Sequence, residues 1–308
     1  MSEFVHAGQR IILNSSADMS AVPNGSVDLF VTSPPYWNLK DYGDSDKEIG
    51  SGTYEEYLSE LRHVWAECYK KGSDDAILIV NINSRRVKGK FYPIAMDIAS
   101  SIENWDLWDH NIWYIPNALP QPNAYRERLL DNKFESLLIF KKGEAKGYKF
   151  HKPRVPQKYI TADPRAEKKN ARGRCLGNIL RIPAYRPPNI KKMSYHVAAF
   201  PEELVAFLLE SYTDKGDTVL DPFLGSGTTL KVARVMERQG IGFEVHSEFA
   251  DLIRTRIDEE WSVPPWTNLD IIHSSSSTTG TMKPRRPKVT GATLSGTSTL
   301  PFAIPLDE

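Results

Sequence analysis

The stretch TVLDPFLGSGTTL, residues 218–230, decides the fold. Its first four residues read as a short buried strand that ends on Asp221. Gly225 and Gly227 then open a helix that begins at Thr228. Glycines let a backbone approach a ligand closely, and a helix N-terminus favours negative charge. The next strand ends on Glu244, 23 residues beyond Asp221. A carboxylate at that distance can take both hydroxyls of a ribose. No lysine follows Gly227, so the phosphate-loop pattern fails, and the full dinucleotide fingerprint is missing as well. An adenosine cofactor with an amino-acid end, S-adenosylmethionine, fits better than NAD or ATP.

Outward from this turn, strand and helix signals alternate. Strands are expected at residues 11–13, 27–32, 76–82, 109–114, 134–141, 218–221 and 241–245. Helices are expected at 53–71, 93–103, 201–212, 228–238 and 248–259. The first helix carries Tyr54, Tyr57, Leu58, Leu61, Trp65 and Cys68 at helical spacing. This order predicts an α/β fold with a largely parallel sheet and helices on both faces.

A second stretch, VDLFVTSPPYWNLKDYG (residues 27–43), ends a buried strand with two prolines and an aromatic pair. Neither Pro34 nor Pro35 can donate to a sheet ladder, and each pushes the residue before it towards extended geometry. The chain must leave the sheet there as a stiff loop at a strand's carboxyl end, where open α/β sheets bind ligands.

The 308 residues are 40% hydrophobic and 25% charged, which is the make-up of a globular protein with room for a good core. Cys68 and Cys175 are the only cysteines. They are too few for a disulfide scaffold or a thiolate zinc site, and a reducing compartment fits. No apolar run reaches the length of a membrane span, and no metal site is expected. The zero net charge hides an asymmetry: residues 141–192 hold 16 Lys and Arg against three acids. That segment also holds Tyr148, Phe150, His151, Tyr159 and Tyr185. It reads as a polyanion-binding insert in an acidic body.

Together the motifs resemble the β class of DNA amino-methyltransferases, the N4-cytosine type. TSPPY (residues 32–36) is similar to its catalytic motif and DPFLGSGTT (221–229) to its S-adenosylmethionine motif. PNALPQPNAYRERLLDNKFESLLIFKK (116–142), with Arg128, Glu135, Phe140 and Lys141, resembles a further block. HVAAFPEELV (196–205) resembles the motif around the cofactor's methionine end, and GFEV (242–245) the ribose-binding strand end. The likeness spans roughly residues 10–260. It departs in LNSSADM, where Asn14 and Ser15 stand in place of Gly-Asp and Asp18 lies one turn on.

The resemblance implies a class I, Rossmann-like methyltransferase fold, a mostly parallel seven-stranded sheet in circularly permuted motif order. Residues 1–142 would be the catalytic half, 143–192 the target-recognition region and 193–261 the cofactor half. Residues 262–308 would be a disordered Ser/Thr/Pro-rich tail or linker. It implies S-adenosylmethionine as cofactor, held by Asp221, Pro222, Phe223, Gly225, Gly227, Thr228 and Glu244, with His196, Phe200 and Pro201 at its methionine end. Ser33, Pro34, Pro35 and Tyr36 would be catalytic. The Ser33 hydroxyl and the Pro34 carbonyl would accept from the target amine while Tyr36 stacks on the base. The base must leave the duplex to be reached, and Trp37 and Tyr42 are candidates for its pocket. Arg172, Arg174, Arg181 and Arg186 are candidate DNA contacts.

Double-stranded DNA is the implied partner, and a cognate restriction endonuclease is another if the chain is bacterial. The location would be cytoplasmic beside the nucleoid in bacteria, or nuclear in a eukaryote. Carbon-5 methylation fits poorly because neither cysteine follows a proline, and zinc deamination because its Cys/His pairs are missing. His63, His110 and His246 read as packed or exposed. Adenine N6, RNA and a DNA binder that has lost catalysis stay open as alternatives.

Overall fold

The computed structural model describes residues 2–37, 49–120, 126, 128–143, 147–155, 174–185 and 200–264. Its centre is built from short strands that are apolar on both sides. β3 (Val27–Thr32) and β4 (Gly72–Ile82) each send alternate residues to opposite faces. Leu29, Val31, Ile77 and Ile79 enter one core, and Phe30, Leu78 and Val80 enter the other. A strand buried on both faces reads as a continuous apolar run, which is why these are visible in the sequence.

Among the described residues, nine strands form the main sheet. In chain order they are β1 (Ser2–His6), β2 (Gln9–Leu13), β3, β4, β7 (Asp106–Tyr114), β8 (Phe134–Lys141), β11 (Ile179–Arg181), β12 (Thr218–Asp221) and β13 (Gln239–Glu244). In space they run β1-β2-β13-β12-β3-β4-β8-β7-β11. The pairings β2·β13, β13·β12, β12·β3, β3·β4 and β7·β11 are parallel. β8 lies antiparallel between β4 and β7, and β1 is antiparallel on β2. The expected seven strands form the interior, and one strand is added at each edge. β11 arises inside the basic segment, whose three apolar-flanked residues are too few to show a period.

Helices cover both faces. α1 (Tyr54–Lys71) and α2 (Ile94–Ser101) bury Tyr57, Leu61, Trp65, Ile94 and Ile98 on one face. α3 (Glu202–Tyr212) and α4 (Thr228–Val235) cover the other, and α5 (Ala250–Asp258) packs Ile253 and Ile257 on Leu230 and Ile11. Each large apolar side chain buried in this way contributes about 1.5–3 kcal/mol. α4 stops three residues short of its expected end. Arg238 there turns back to Thr213, donating from Nε to its hydroxyl (3.0 Å) and from Nη2 to its carbonyl (2.9 Å).

A small antiparallel hairpin departs from the expected elements. β5 (Arg85–Val87) and β6 (Lys90–Tyr92) follow β4 almost at once. Lys88 (φ 48°) and Gly89 (φ 80°) form its two-residue turn. Positive φ at both central residues is what a tight hairpin with right-handed strand twist needs. A two-stranded ribbon, β9 (Arg154–Val155) with β10 (Arg174–Cys175), stands apart from the main sheet.

Helix α1 starts by a capping box. The Thr53 hydroxyl accepts from the Glu56 amide, and the Glu56 carboxylate accepts from the Thr53 amide (2.7 Å). Acidic residues open the helix and Lys70 and Lys71 close it, as its dipole favours. Thr53→Ala is expected to lower unfolding free energy by about 1 kcal/mol in urea titration, with cofactor binding unchanged.

Candidate active site

The site is organised around the Asp221 carboxylate, which is buried at the end of β12. Oδ1 accepts from the Thr32 hydroxyl (2.8 Å) and the Phe223 amide (3.0 Å), and Oδ2 accepts from the Thr229 hydroxyl (2.6 Å). One side chain thus joins the end of β3, the glycine turn and helix α4. Burial pushes its carboxyl up to about 6, against three hydrogen bonds that favour the charge.

Beyond Asp221 the chain turns through Gly225 (φ 54°) and Gly227 (φ 93°), the N-cap of α4. Both are left-handed positions that favour glycine. A cleft of about 160 Å³ opens at this turn. Its apolar walls include Phe200, Pro222, Phe223 and Phe249. Glu244, at the end of β13, faces it. Glu244 Oε2 accepts from the Gly225 amide (2.8 Å) and Oε1 from the His246 amide (2.9 Å). Burial raises this carboxyl to about 7. The Thr228 hydroxyl also lines the cleft; it is buried and has no hydrogen-bond partner among the described residues. A buried hydroxyl without a partner is costly unless a ligand completes it. Aromatic walls, a carboxylate and an orphan hydroxyl at a helix start fit an adenosine cofactor.

The loop after β3 forms the opposite wall, with Ser33, Pro34, Pro35 and Tyr36. Its carbonyls are treated differently. The Pro35 carbonyl accepts from the Tyr57 hydroxyl (3.0 Å) and the Trp37 carbonyl from Arg85 Nη1 (2.5 Å). The Pro34 carbonyl and the Ser33 hydroxyl accept from no described residue. Tyr36 hydrogen bonds through its hydroxyl to the Glu135 carboxylate and to the backbone of Asn83, and burial raises its pKa well above the usual range. Asn81 Nδ2 donates to Glu135 Oε2 (2.6 Å). Burial also raises Glu135, with the bonds from Asn81 and Tyr36 opposing.

Six expected cofactor residues line the cleft: Phe200, Pro222, Phe223, Gly225, Thr228 and Glu244. Asp221, Gly227 and Pro201, the N-cap of α3, sit behind it. Asn14, Ser15 and Ser16 also line it, whereas the Asp18 carboxylate turns back onto the Ser20 amide (2.9 Å). His246 and Phe249 are lining residues that sequence reasoning missed; their place just past the ribose-side strand was the available signal. Trp37 does not line the cleft. It is buried against Tyr54 and Tyr92, and its indole donates to the Gly52 carbonyl (2.9 Å).

Cys68 is in the core, with its thiol raised by burial. His63 contacts the Ala17 carbonyl (3.1 Å) and His110 the Ser136 hydroxyl (3.0 Å). Arg181 lies on edge strand β11, and Arg174 belongs to the β9·β10 ribbon. His196, Tyr42, Arg172, Arg186 and residues 265–308 lie outside the described residues.

A sheet of this order, with a glycine turn and a carboxylate at adjacent strand ends, defines a class I methyltransferase. The DNA methylase model for the N6/N4 type matches residues 27–255, and the chain belongs to that family. It is an S-adenosylmethionine-dependent DNA methyltransferase. The Type II methyltransferase M.XycI of Xanthomonas campestris pv. cyanopsidis is 30% identical over 268 residues, which cover 77% of this chain and 83% of the relative. TTHA0409 of Thermus thermophilus, assigned as a DNA modification methylase and solved with S-adenosyl-L-methionine, aligns with a TM-score of 0.56 at 26% identity. The alignment covers 81% of this chain and 93% of that one. The cytosine-N4-specific PvuII DNA methyltransferase shares the fold, with a TM-score of 0.62 at 21% identity over 83% of this chain and 88% of its own.

Asp221 and Glu244 both hold a proton more tightly folded than unfolded. Their protonation stabilises the fold fully below about pH 4, and that stabilisation is lost as pH rises through about 6 and about 7. Asp221→Asn removes the titration and keeps an acceptor for the Thr32 hydroxyl and the Phe223 amide, while the Thr229 hydroxyl must accept from the new amide instead of donating. The variant is expected to lose less stability than wild type between about pH 4 and 7 in urea titrations. Equal pH slopes would show that Asp221 is not held high.

Proposed function

We propose that the chain methylates the exocyclic N4 of cytosine in double-stranded DNA, at a specific site and on a flipped-out base. The observation that carries this reading is a pair of acceptors that no described residue engages, the Ser33 hydroxyl and the Pro34 carbonyl, in a loop where the Pro35 and Trp37 carbonyls are pinned. A cytosine amine is a poor nucleophile because its lone pair is conjugated with the ring. Acceptors on both N–H groups favour a tetrahedral nitrogen with a free lone pair. The two prolines fix the carbonyl in advance, so little reorganisation is needed at reaction. Serine rather than an acid at position 33 favours cytosine over adenine.

S-adenosylmethionine, when bound, supplies an electrophilic methyl group on a sulfonium. Glu244 would accept from the ribose hydroxyls, while Phe223 and Phe249 enclose the adenosine, Phe200 lies at the methionine end and Thr228 offers a hydroxyl that no described residue engages. Across the cleft, Ser33 and Pro34 hold the target nitrogen in line with that methyl. The lone pair of the nitrogen would take the methyl as its bond to sulfur breaks, the sulfonium leaving as a neutral thioether, and the nitrogen would then release one proton to water. Tyr36 presents its ring to the base, with its hydroxyl tied to Glu135. A cognate restriction endonuclease is the partner implied by likeness to Type II methyltransferases.

Purified protein, unmethylated duplex DNA and labelled cofactor test the reading, with products identified as nucleosides by mass spectrometry. N4-methyldeoxycytidine is expected; N6-methyldeoxyadenosine would transfer the same geometry to adenine and overturn the reading of Ser33. Ser33→Ala should lower kcat by about 10²-fold with cofactor and DNA still bound, the scale of one preorganised hydrogen bond at a reacting centre. Glu135→Ala, which releases Tyr36, should lower kcat about tenfold or more without changing cofactor affinity. An unchanged kcat would remove Glu135 from the site's support.

A further inference from the structure

We propose that the β5–β6 hairpin is a second DNA contact, separate from the basic segment, and that it binds backbone phosphates beside the catalytic cleft. The inference rests on DNA as the substrate. Residues 83–93 hold four cations, Arg85, Arg86, Lys88 and Lys90, and no acid. The hairpin leaves the carboxyl end of β4, the neighbour of the strand that carries Ser33, so it stands on the edge of the sheet where the cleft opens.

Its two faces differ. Arg85 pairs with Tyr92 across the ladder, and this face turns inward. Arg85 donates to the Trp37 carbonyl, and the Tyr92 ring packs on the Trp37 ring at 4.6 Å. Arg86 pairs with Phe91 on the other face. Phe91 is 51% exposed, an unusual place for a large aromatic. The Arg86 guanidinium lies 5.6 Å from that ring and donates to the Gly89 carbonyl (3.1 Å). Lys88 is exposed at the tip; Lys90 is exposed beside it but belongs to the Arg85–Tyr92 face, with its Nζ 4.8 Å from the Tyr92 ring. Among the described residues no carboxylate pairs with Arg86, Lys88 or Lys90.

Some surface cations elsewhere do have acidic partners. Lys70 meets Glu67, Lys149 meets Asp217 and Lys215 meets Glu237. Three cations without a carboxylate on a rigid two-stranded arm form a field that an external anion would neutralise. Arg86, held on Phe91 and by Gly89, is preorganised to present its remaining N–H groups to phosphate oxygens. The inward face ties the arm to Trp37, immediately after Tyr36. Phosphates held by the hairpin would therefore lie at a fixed offset from the base in the cleft. Such contacts set position and carry no sequence information.

The test compares the full-length chain with an R86Q/K88Q/K90Q variant. Affinity for a fluorescent duplex is measured by anisotropy over a salt series, together with methylation kinetics and cofactor binding. Removing one phosphate interaction should flatten the slope of log affinity against log salt by about 0.9, so the triple variant should show a slope shallower by about 2–3. KM for DNA should rise at least about tenfold at moderate salt, with kcat and cofactor affinity near wild type. The single variant Lys88→Gln, at an exposed turn where folding is not at stake, should flatten the slope by about 0.9. Wild-type slope and KM in the triple variant, with the wild-type chain methylating DNA, would overturn the hairpin proposal alone. A wild-type chain that neither methylates DNA nor binds it in a salt-dependent way would overturn the underlying reading as well.

Discussion

The hydrogen bond from the Thr32 hydroxyl to Asp221 joins residues 189 apart in sequence and holds the site together. Strands β3 and β12 are neighbours, but adjacency alone does not fix where their following loops go. Asp221 does so by accepting from Thr32, from the Phe223 amide and from Thr229 at once. The loop with the acceptor pair and the turn with the glycines therefore start from one common point. Burying the carboxylate has a cost, seen in its raised pKa, and three short hydrogen bonds offset much of it. An apolar residue at 221 would fill space but could not set the two loops against each other.

The same logic recurs one layer out. Tyr57 and Arg85 pin the carbonyls of Pro35 and Trp37, and Glu135 with Asn81 pins the Tyr36 hydroxyl. Each partner comes from a different element: α1, the hairpin, β8 and β4. Across the cleft, Glu202 at the start of α3 meets Lys231 (3.0 Å) and Arg256 (2.7 Å), all buried. Arg256 also donates to the Tyr185 hydroxyl (2.9 Å), with Tyr185 just beyond β11. This cluster fixes the N-terminus of α3 and hence Phe200 on the cleft wall. Buried ion pairs add little net stability, but they admit few alternative arrangements. Here they specify position.

What is legible in the sequence is what has a local signature. The ends of β3, β8 and β12 can be read directly, because apolar runs bounded by Pro, Gly or charge have sharp edges. The glycine turn, Glu244 and the Pro-Pro loop are legible for the same reason: each needs unusual backbone geometry or a fixed strand-end place. Illegible are features set by partners distant in sequence. Trp37 follows Tyr36 directly and reads as a second base-facing aromatic, yet its ring belongs to a box made by Tyr54 and Tyr92. Thr32 and Thr229 read as ordinary strand and helix residues, and only the fold sets Asp221 between them. Strand β11 is lost in a proline-rich basic background because a three-residue parallel strand leaves no periodicity to read. The Lys88-Gly89 turn is readable in principle, but Arg85, Arg86 and Lys90 mask its short strands as a charge run.

Chain order matters less to this architecture than strand order. β3 precedes β12 in sequence, but only their parallel adjacency, Val219 beside Leu29 and Leu220 beside Phe30, brings the two following loops together. A parallel sheet covered on both faces tolerates such reordering because its core is made of layers, and each layer needs only apolar residues at the right height. Function then resides in what leaves the carboxyl edge. After β3 comes a loop that must be stiff, and it is proline-locked. After β12 comes a turn that must approach a ligand, and it is glycine-rich. After β4 comes a hairpin with Arg86 on its outer face, Lys88 at its tip and an inner face tied to the loop after β3. Three adjacent strands, β12, β3 and β4, thus present the glycine turn, the Pro-Pro loop with its two acceptors and the cationic hairpin side by side. On the proposed reading, that order suits a reaction in which the methyl donor, the base and the backbone carrying that base lie in sequence across one edge.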